Sequence, residues 1–385
     1  MTPGARVSAA IAVLDRVAAG EPAEKALTNW ARRARYAGSK DRAAVRDHVF
    51  DVLRRWRSTA AMGGADTGRG RMIGLLRQDG PSPETLFDGA GHAPAPLSPE
   101  EEDAGSAPEG AASRDMPDWL WPQLAHDLGP QADAVAEALR HRAPVFVRVN
   151  TLRADPDGAR AALADEGIEA RPAGLSPNAL EIVAGARGLA RGAAFTGGLV
   201  EMQDAASQAV VDALPLAPGM RVLDYCAGGG GKALAMAARL NGGSVAVHDA
   251  EPARMKDVPA RATRAGADLR IEEHPRGEWD LVLCDVPCSG SGAWRRAPEG
   301  KWRLTQAGLD ALCRTQAGIL DRTAPLVAPG GVLAYATCSL LTCENTAAIE
   351  RFLADHSGWM LQDSRSFLPG PDGDGLFVAV LSRAR

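Results

Sequence analysis

Apolar positions recur along this chain in two rhythms, and the change between them divides it. Near the start Val7, Ile11, Leu14 and Val17 fall on one helical face. Val45, Val49, Val52, Leu53 and Trp56 do the same after Ser39, a residue type suited to capping a helix. Residues 1–87 therefore read as an all-helical domain. Residues 88–118 lose the periodicity. They are rich in Pro, Ala, Gly and Ser, carry Glu100, Glu101, Glu102 and Asp103, and read as an acidic linker with one short helix from Ser98. Over 119–200 the pattern predicts a helix at 119–140, a strand at 145–150, a helix at 157–166 and a second strand at 180–183, a small α/β subdomain. From 201 to 385 short apolar runs alternate with helical segments. Strands are predicted at 221–225, 244–248, 280–284, 331–336 and 376–381, and helices at 232–240, 252–265, 305–327 and 344–355. This alternation predicts an α/β fold with a mostly parallel sheet covered on both faces.

Composition narrows the class. The 385 residues are 45% hydrophobic, enough for a real core. A net charge of −5 argues against coating nucleic acid through bulk charge, while leaving a local basic groove open. Residues 1–60 hold such a bias, with 12 Lys and Arg against 6 Asp and Glu. Arg32, Arg33, Arg35, Lys40 and Arg42 surround a Tyr36-Ala37-Gly38-Ser39 turn. They form either a solvated helix face or a phosphate-contacting patch. Asp15 and Arg16 interrupt the apolar run at 7–14, which rejects a signal peptide, and no run is long enough to span a membrane. All six cysteines lie in the C-terminal half, which suggests a reducing, cytoplasmic setting and site chemistry rather than a disulfide framework.

The predicted strand 221–225 runs into Cys226, Ala227, Gly228, Gly229, Gly230, Gly231 and Lys232, and an alanine-rich helix follows. Glycines let a backbone approach a ligand, and a helix N-terminus offers free N–H groups. A phosphate loop would need Gly at 226 and Ser or Thr at 233, where this chain has Cys226 and Ala233. Gly228, Gly230 and Ala233, with Asp249 after the next strand, suit a dinucleotide. S-adenosylmethionine asks for the same loop and the same acid, so the loop leaves both open.

Asp285 and Cys288 follow one predicted strand and Cys338 another, where ligands of such sheets gather. The Cys284/Cys288 and Cys338/Cys343 spacings exceed those of zinc knuckles and no histidine is close in sequence, so no metal is expected. A disulfide between Cys288 and Cys338 is not expected in a cytosolic protein, and a buried structural role suits Cys226, Cys284 and Cys313. A carboxylate, two thiols and a methyl-donor seat form the inventory for methylating carbon 5 of a cytosine. A thiolate adds to carbon 6, an acid holds N3, carbon 5 takes the methyl group, and the thiol leaves after the carbon 5 proton is lost.

These residues carry a resemblance. Asp224 to Lys232, Asp285-Val286-Pro287-Cys288-Ser289-Gly290-Ser291-Gly292, Lys301-Trp302-Arg303-Leu304 and Tyr335-Ala336-Thr337-Cys338-Ser339, with Gln203-Asp204-Ala205-Ala206-Ser207 ahead of them, resemble the RsmB/Sun family of RNA cytosine-5 methyltransferases. The likeness runs from about Pro144 to the C-terminus, and the basic helical segment resembles that family's NusB-like domain. The resemblance implies a Rossmann-like class I methyltransferase domain, an RRM-like subdomain, S-adenosylmethionine as cofactor, and RNA as partner, small-subunit (16S) rRNA above all. It implies that Cys338 is the nucleophile, that Cys288 assists release, and that Asp285 holds N3 of the cytosine beside the cofactor. Asp249 would bind the cofactor's ribose, residues 226–232 its methionine end, and Arg254 stands where the family often has an arginine. Gly228-Gly229 replaces the family's usual Ala-Pro, and Cys343 an acid. The acid near adenine falls to Asp268, Glu272 or Glu273. Arg295, Arg296, Lys301 and Arg303, with Trp294 and Trp302 between them, are expected to grip a looped-out nucleotide. An RNA-binding ribosome-assembly factor with little turnover and an NAD-dependent oxidoreductase are the competing readings.

Overall fold

The apolar stripes near the N-terminus become the seam of a helical bundle. In the computed structural model, which describes residues 1–241 and 243–384, helices Pro3–Ala18, Ala23–Arg33, Ser39–Arg54, Trp56–Gly63 and Gly68–Asp79 bury Val7, Leu14, Val49, Leu53, Met72 and Ile73 in one cluster. The last two helices pack backbone to backbone. A Cβ at Gly74 would fall onto the Thr59 carbonyl oxygen, and one at Gly63 onto that of Gly70. Ser39 does not cap its helix. It is the first helical residue, and Asp41 Oδ2 accepts from the Gly38 amide at 3.1 Å instead.

The acidic stretch packs against this bundle. Its short helix, Pro99–Asp103, starts at Ser98 with a reciprocal Ser98–Glu101 cap, and Arg69 holds Glu101 at 2.6 Å. Asp115 is fully buried and takes the left-handed conformation that Asp tolerates, with φ 50°. Its carboxylate accepts from the amides of Arg57 and Ser58 at 3.0 and 2.8 Å, from Ser58 Oγ at 2.8 Å and from Arg140 Nε at 2.9 Å. It thereby caps helix Trp56–Gly63 from 57 residues away. The helix expected at 119–140 is split into Trp121–Leu128 and Ala132–Leu139, because Gly129 adopts φ 53° and Pro130 follows.

Residues 294–304 belong to this first compact unit, which comprises 1–142 and 294–304. Trp294, Arg295 and Lys301 are buried. Lys301 Nζ donates to the Arg54 carbonyl at 3.2 Å, Trp302 Nε1 to that of Leu53 at 2.7 Å, and Arg54 Nε to that of Arg295 at 2.7 Å. Burial pushes the Lys301 ammonium down to about 8, against the pull of Asp115. Trp294, Arg295 and Lys301 are thus packing and anchoring residues, not the nucleotide grip expected of them. Only Arg296 and Arg303 of the segment's basic residues reach the surface, and Arg303 pairs with Glu299 at 2.9 Å.

The second unit, 143–293 with 305–385, contains two sheets. The smaller is antiparallel, formed by β1 Val145–Val149, β2 Glu169–Pro172, β3 Ala179–Ala184 and β4 Val200–Met202 in the order β2-β3-β1-β4. With helices Pro156–Asp165 and Ala193–Thr196 it makes a split β-α-β arrangement. Arg148 on β1 and Glu201 on β4 are paired in register and buried, and Arg261 Nη2 reaches Glu201 at 3.1 Å. Arg148 therefore serves packing. The larger sheet orders β10 Trp359–Phe367, β11 Leu376–Arg383, β9 Val327–Thr337, β8 Trp279–Asp285, β5 Val222–Asp224, β6 Val245–Val247 and β7 Leu269–Ile271. Strands β9 to β7 are parallel, and β10 and β11 close one edge antiparallel. Both faces are covered: Val222, Leu281 and Leu283 lie in one cluster, Leu223, Val282 and Cys284 in the other. This is a Rossmann-like α/β domain. The chain passes from β5 to β6 on one side while β8 returns on the other, and the opening beyond the strands' carboxyl ends is the natural seat for a ligand. Among the described residues no helix is long and apolar enough to cross a membrane.

Replacing Asp115 with Ala takes the buried carboxylate partner from Arg140, which keeps only its pair with Glu137, and removes a helix cap. Urea unfolding followed by circular dichroism should show a loss of about 3 kcal/mol, whereas Asp118→Ala, at an exposed pair with Arg57, should stay within about 1 kcal/mol.

Candidate active site

Strand β5 ends at Asp224, and the turn after it needs glycine. Gly228 and Gly230 adopt φ 50° and 77°, and a Cβ at Gly230 would lie 3.2 Å from Val258 Cγ2. Helix Gly231–Arg239 begins there, so its first amides face the turn. Asp249, 4% exposed beyond β6, fixes the loop. Its Oδ2 accepts from the Gly228 amide at 2.9 Å and its Oδ1 from that of Glu251 at 3.0 Å, while Arg254 Nη1 approaches to 3.2 Å. A cavity of about 640 Å³ adjoins it, lined by His248, Asp249, Met255, Ile271, Glu273 and His274 among others. Of the three acids weighed for the adenine contact, Glu273 alone lines it. Asp268 pairs with Arg270 at 3.3 Å, and Glu272 offers its carbonyl to His248 Nδ1 at 3.0 Å.

Lys232, in the first turn of the helix, reaches Asp285 at the end of β8, Nζ to Oδ2 2.7 Å. Burial alone would lower this ammonium, but the carboxylate prevails and holds it above its ordinary value. Asp224 is the opposite case. It is 1% exposed, and burial together with the nearby Asp285 charge pushes its carboxyl up to about 7.

The next strand end supplies the thiols. Cys338 directly follows β9, and its Sγ lies 3.4 Å from that of Cys288. The hydrogen bond from Cys288 favours the Cys338 thiolate, Lys232 adds to it, and together they hold Cys338 below the ordinary thiol value against the effect of burial. The same bond and burial push Cys288 well up. Burial raises Cys226 and Cys284 too, the latter to about 12. Among the described residues no group of three or more His, Cys, Asp and Glu side chains is arranged to hold a metal ion.

The motifs did not point to Glu344 as part of this site. It is fully buried at the bottom of the two thiol loops. Its Oε1 accepts from the Ser289 amide at 2.9 Å and Gln316 Nε2 at 2.9 Å, and its Oε2 from the hydroxyls of Ser289 and Ser339. Asn345 binds the Thr337 hydroxyl at 2.6 Å and the Ser339 carbonyl at 2.9 Å. A sequence signal was present: a Glu-Asn pair five and six residues past a Ser that follows the strand, at the start of a helix that needs no buried acid.

The chain is similar to known proteins. The family described as 16S rRNA methyltransferase RsmB/F matches residues 211–381, and the ferredoxin-like domain of RsmF/B-like methyltransferases matches residues 116–187. A ribosomal RNA small subunit methyltransferase B of Xanthomonas campestris is 34% identical over 291 residues, which span 70% of this chain and 66% of the relative. One of Xylella fastidiosa (strain 9a5c) is also 34% identical, over 69% of this chain and 68% of its own length. Among solved structures, the protein PH0851 superposes with a TM-score of 0.79 at 21% identity, over 100% of this chain and 99% of its own, a likeness of fold.

The cofactor of a methyltransferase of this family is S-adenosylmethionine, and the residues present fit it. Asp224 Oδ1 and Gln203 Oε1 are buried acceptors without a partner among the described residues. Both belong to elements bordering the glycine loop: Asp224 leads into it, and Gln203 Nε2 is 3.7 Å from where a Gly231 Cβ would stand. A ligand ammonium would satisfy them.

Iodoacetamide at pH 7 should modify Cys338 roughly tenfold faster than Cys288, because only thiolate reacts. Rates for the two peptides, followed by mass spectrometry against pH, should give the lower midpoint to Cys338.

Proposed function

We propose that this chain, which belongs to the RsmB/F family of 16S rRNA methyltransferases, methylates carbon 5 of a cytosine in small-subunit rRNA through a covalent bond from Cys338 to carbon 6. The observation that carries this reading is the pair of thiols 3.4 Å apart, one acidified and one not, beside a Lys232–Asp285 ion pair.

The Cys338 thiolate donates its pair to carbon 6, and the carbon 5–carbon 6 π electrons shift through the ring toward N3. Asp285 sits to hydrogen-bond that edge of the base, and the Lys232 ammonium bonded to it is the available source of the proton that N3 gains. Bound S-adenosylmethionine supplies an electrophilic methyl group, which carbon 5 is now nucleophilic enough to take. Loss of the carbon 5 proton to a base then rebuilds the double bond and expels Cys338 as thiolate, while N3 returns its proton. Cys288 is poised to help this last step: when Cys338 leaves as a thiolate, the Cys288 S–H 3.4 Å away can donate to it. Asp249 and the glycine loop would hold the cofactor's ribose and methionine ends, Arg254 steadies Asp249, and Glu273 and His274 border the space open to the adenine.

RNA also needs a foothold. Arg32, Arg33, Arg35, Lys40 and Arg42 are exposed around Tyr36, itself 74% exposed, and suit phosphates and a stacked base. That grip replaces the one expected of residues 294–303. The reading places the protein in the cytoplasm, where rRNA is assembled.

The test uses Cys288→Ala and Cys338→Ala proteins with S-adenosylmethionine and unmethylated small-subunit rRNA, run on a denaturing gel. Cys288→Ala should trap a protein–RNA band and turn over about 10²- to 10⁴-fold more slowly. Cys338→Ala should trap none and transfer no methyl group. The reverse pattern exchanges the two roles, and no transfer by the unmodified protein overturns the reading.

A further inference from the structure

Two loops from different strands must bring their sulfurs together, and neither sulfur is fixed by its own loop alone. Cys288 follows β8 through Val286 and Pro287, and Cys338 follows β9 directly. The next residue in each loop is a serine, and both serine hydroxyls meet one oxygen of Glu344. The other oxygen takes the Ser289 amide and Gln316 Nε2, and that same Gln316 nitrogen reaches back to the Pro287 carbonyl at 3.0 Å. Ser289 Oγ and Ser339 Oγ lie 3.2 Å apart across the gap. Ser291 Oγ, 3.2 Å from Ser339 Oγ, accepts from the Leu340 amide at 2.7 Å. Tyr335, buried on β9, donates its hydroxyl to the Glu344 carbonyl at 2.6 Å, which ties the acid's own backbone to the sheet. A carboxylate out of water with four donors on it is costly to disturb, because each donor would be left unpaired.

We infer that Glu344 is a positioning residue: its buried carboxylate clamps the Cys288 loop to the Cys338 loop and so sets the sulfur–sulfur contact on which the reactivity of Cys338 depends. The inference rests on the methyl-transfer reading for its purpose but not for its test. The clamp has a sign that separates it from a simple charge effect. Asp285, Lys232, Cys288 and Glu344 are the groups whose charge or hydrogen bond is felt at Cys338, and the negative charge of Glu344 by itself disfavours the Cys338 thiolate. Removing that charge with the contact intact would therefore make Cys338 more acidic. Losing the contact would make it less acidic, since the hydrogen bond from Cys288 is the largest influence favouring the thiolate.

Glutamine can keep the clamp and lose the charge. Its oxygen can take the Oε1 place, facing the amide and Gln316, while its nitrogen faces two serine hydroxyls, groups that can accept as well as donate. Alanine removes both. The experiment is alkylation of Cys338 against pH by mass spectrometry in the full chain, without RNA or cofactor, for the unmodified protein, Glu344→Gln and Glu344→Ala. The clamp requires the Glu344→Ala midpoint to rise, so that alkylation at pH 7 slows roughly tenfold, and the Glu344→Gln midpoint to stay or fall. Ser289→Ala, which removes the hydroxyl link on the Cys288 side and keeps the Ser289 amide on Glu344, should raise the midpoint as well, by less than Glu344→Ala, and carries the test if Glu344→Ala does not fold. Folded Glu344→Ala or Ser289→Ala protein with an unchanged or lower midpoint overturns the inference. Failure of methyl transfer with these midpoint shifts intact would remove the proposed function and leave the clamp standing.

Discussion

Parallel pairing is the constraint from which the site follows. β5 runs beside β8 and β8 beside β9, each in the same direction, with Asp224 opposite Leu283 and Asp285 opposite Ala336. Three strands that end at one edge deliver three loops to one place: the glycine turn, the Asp285–Cys288 loop and the Cys338 loop. Hydrophobic burial on both faces makes that register expensive to slip, since one residue of shift would carry every inward side chain to the other layer. The chemistry is therefore held by the sheet's core, some distance from the reacting groups themselves.

Within that frame, charge is arranged in a graded way. Asp249 is tied into the loop it supports, Asp285 is paired with Lys232, and Asp224 sits where ionisation is disfavoured. Glu344 is buried yet surrounded by donors. Four carboxyl groups close to one another in the fold thus do four different things, according to what each touches. The two thiols follow the same rule, since one hydrogen bond between them raises one and lowers the other.

Much of this was legible in the sequence where the local signal was strong. The glycine run, the apolar strands on either side of it and the residues just past β8 and β9 all follow from short-range pattern. β7 and β10 did not. β7 is only Leu269, Arg270 and Ile271, and β10 is a polar edge strand whose Met360 and Leu361 face outward, so neither shows the buried run that marks a central strand. The segment with Trp294, Arg295, Lys301 and Trp302 misled for a related reason. Alternating aromatic and basic residues look the same whether they will meet a phosphate or the carbonyls at a helix end. Burial decides between these, and burial is set by residues more than 200 positions away. Glu344 escaped notice because an acid at the start of a helix is ordinary until its neighbours in space are known.

The excursion of residues 294–304 carries a consequence for inheritance. The chain crosses from one compact unit to the other at 142/143, 293/294 and 304/305, so neither unit is an uninterrupted stretch of coding sequence. A recombination event that exchanged only the first 142 residues would leave Lys301 and Trp302 behind without the Arg54 and Leu53 carbonyls to which they donate. The two units of this protein are therefore not modules in sequence, and a lineage that loses the first must also redesign a loop six residues beyond Cys288.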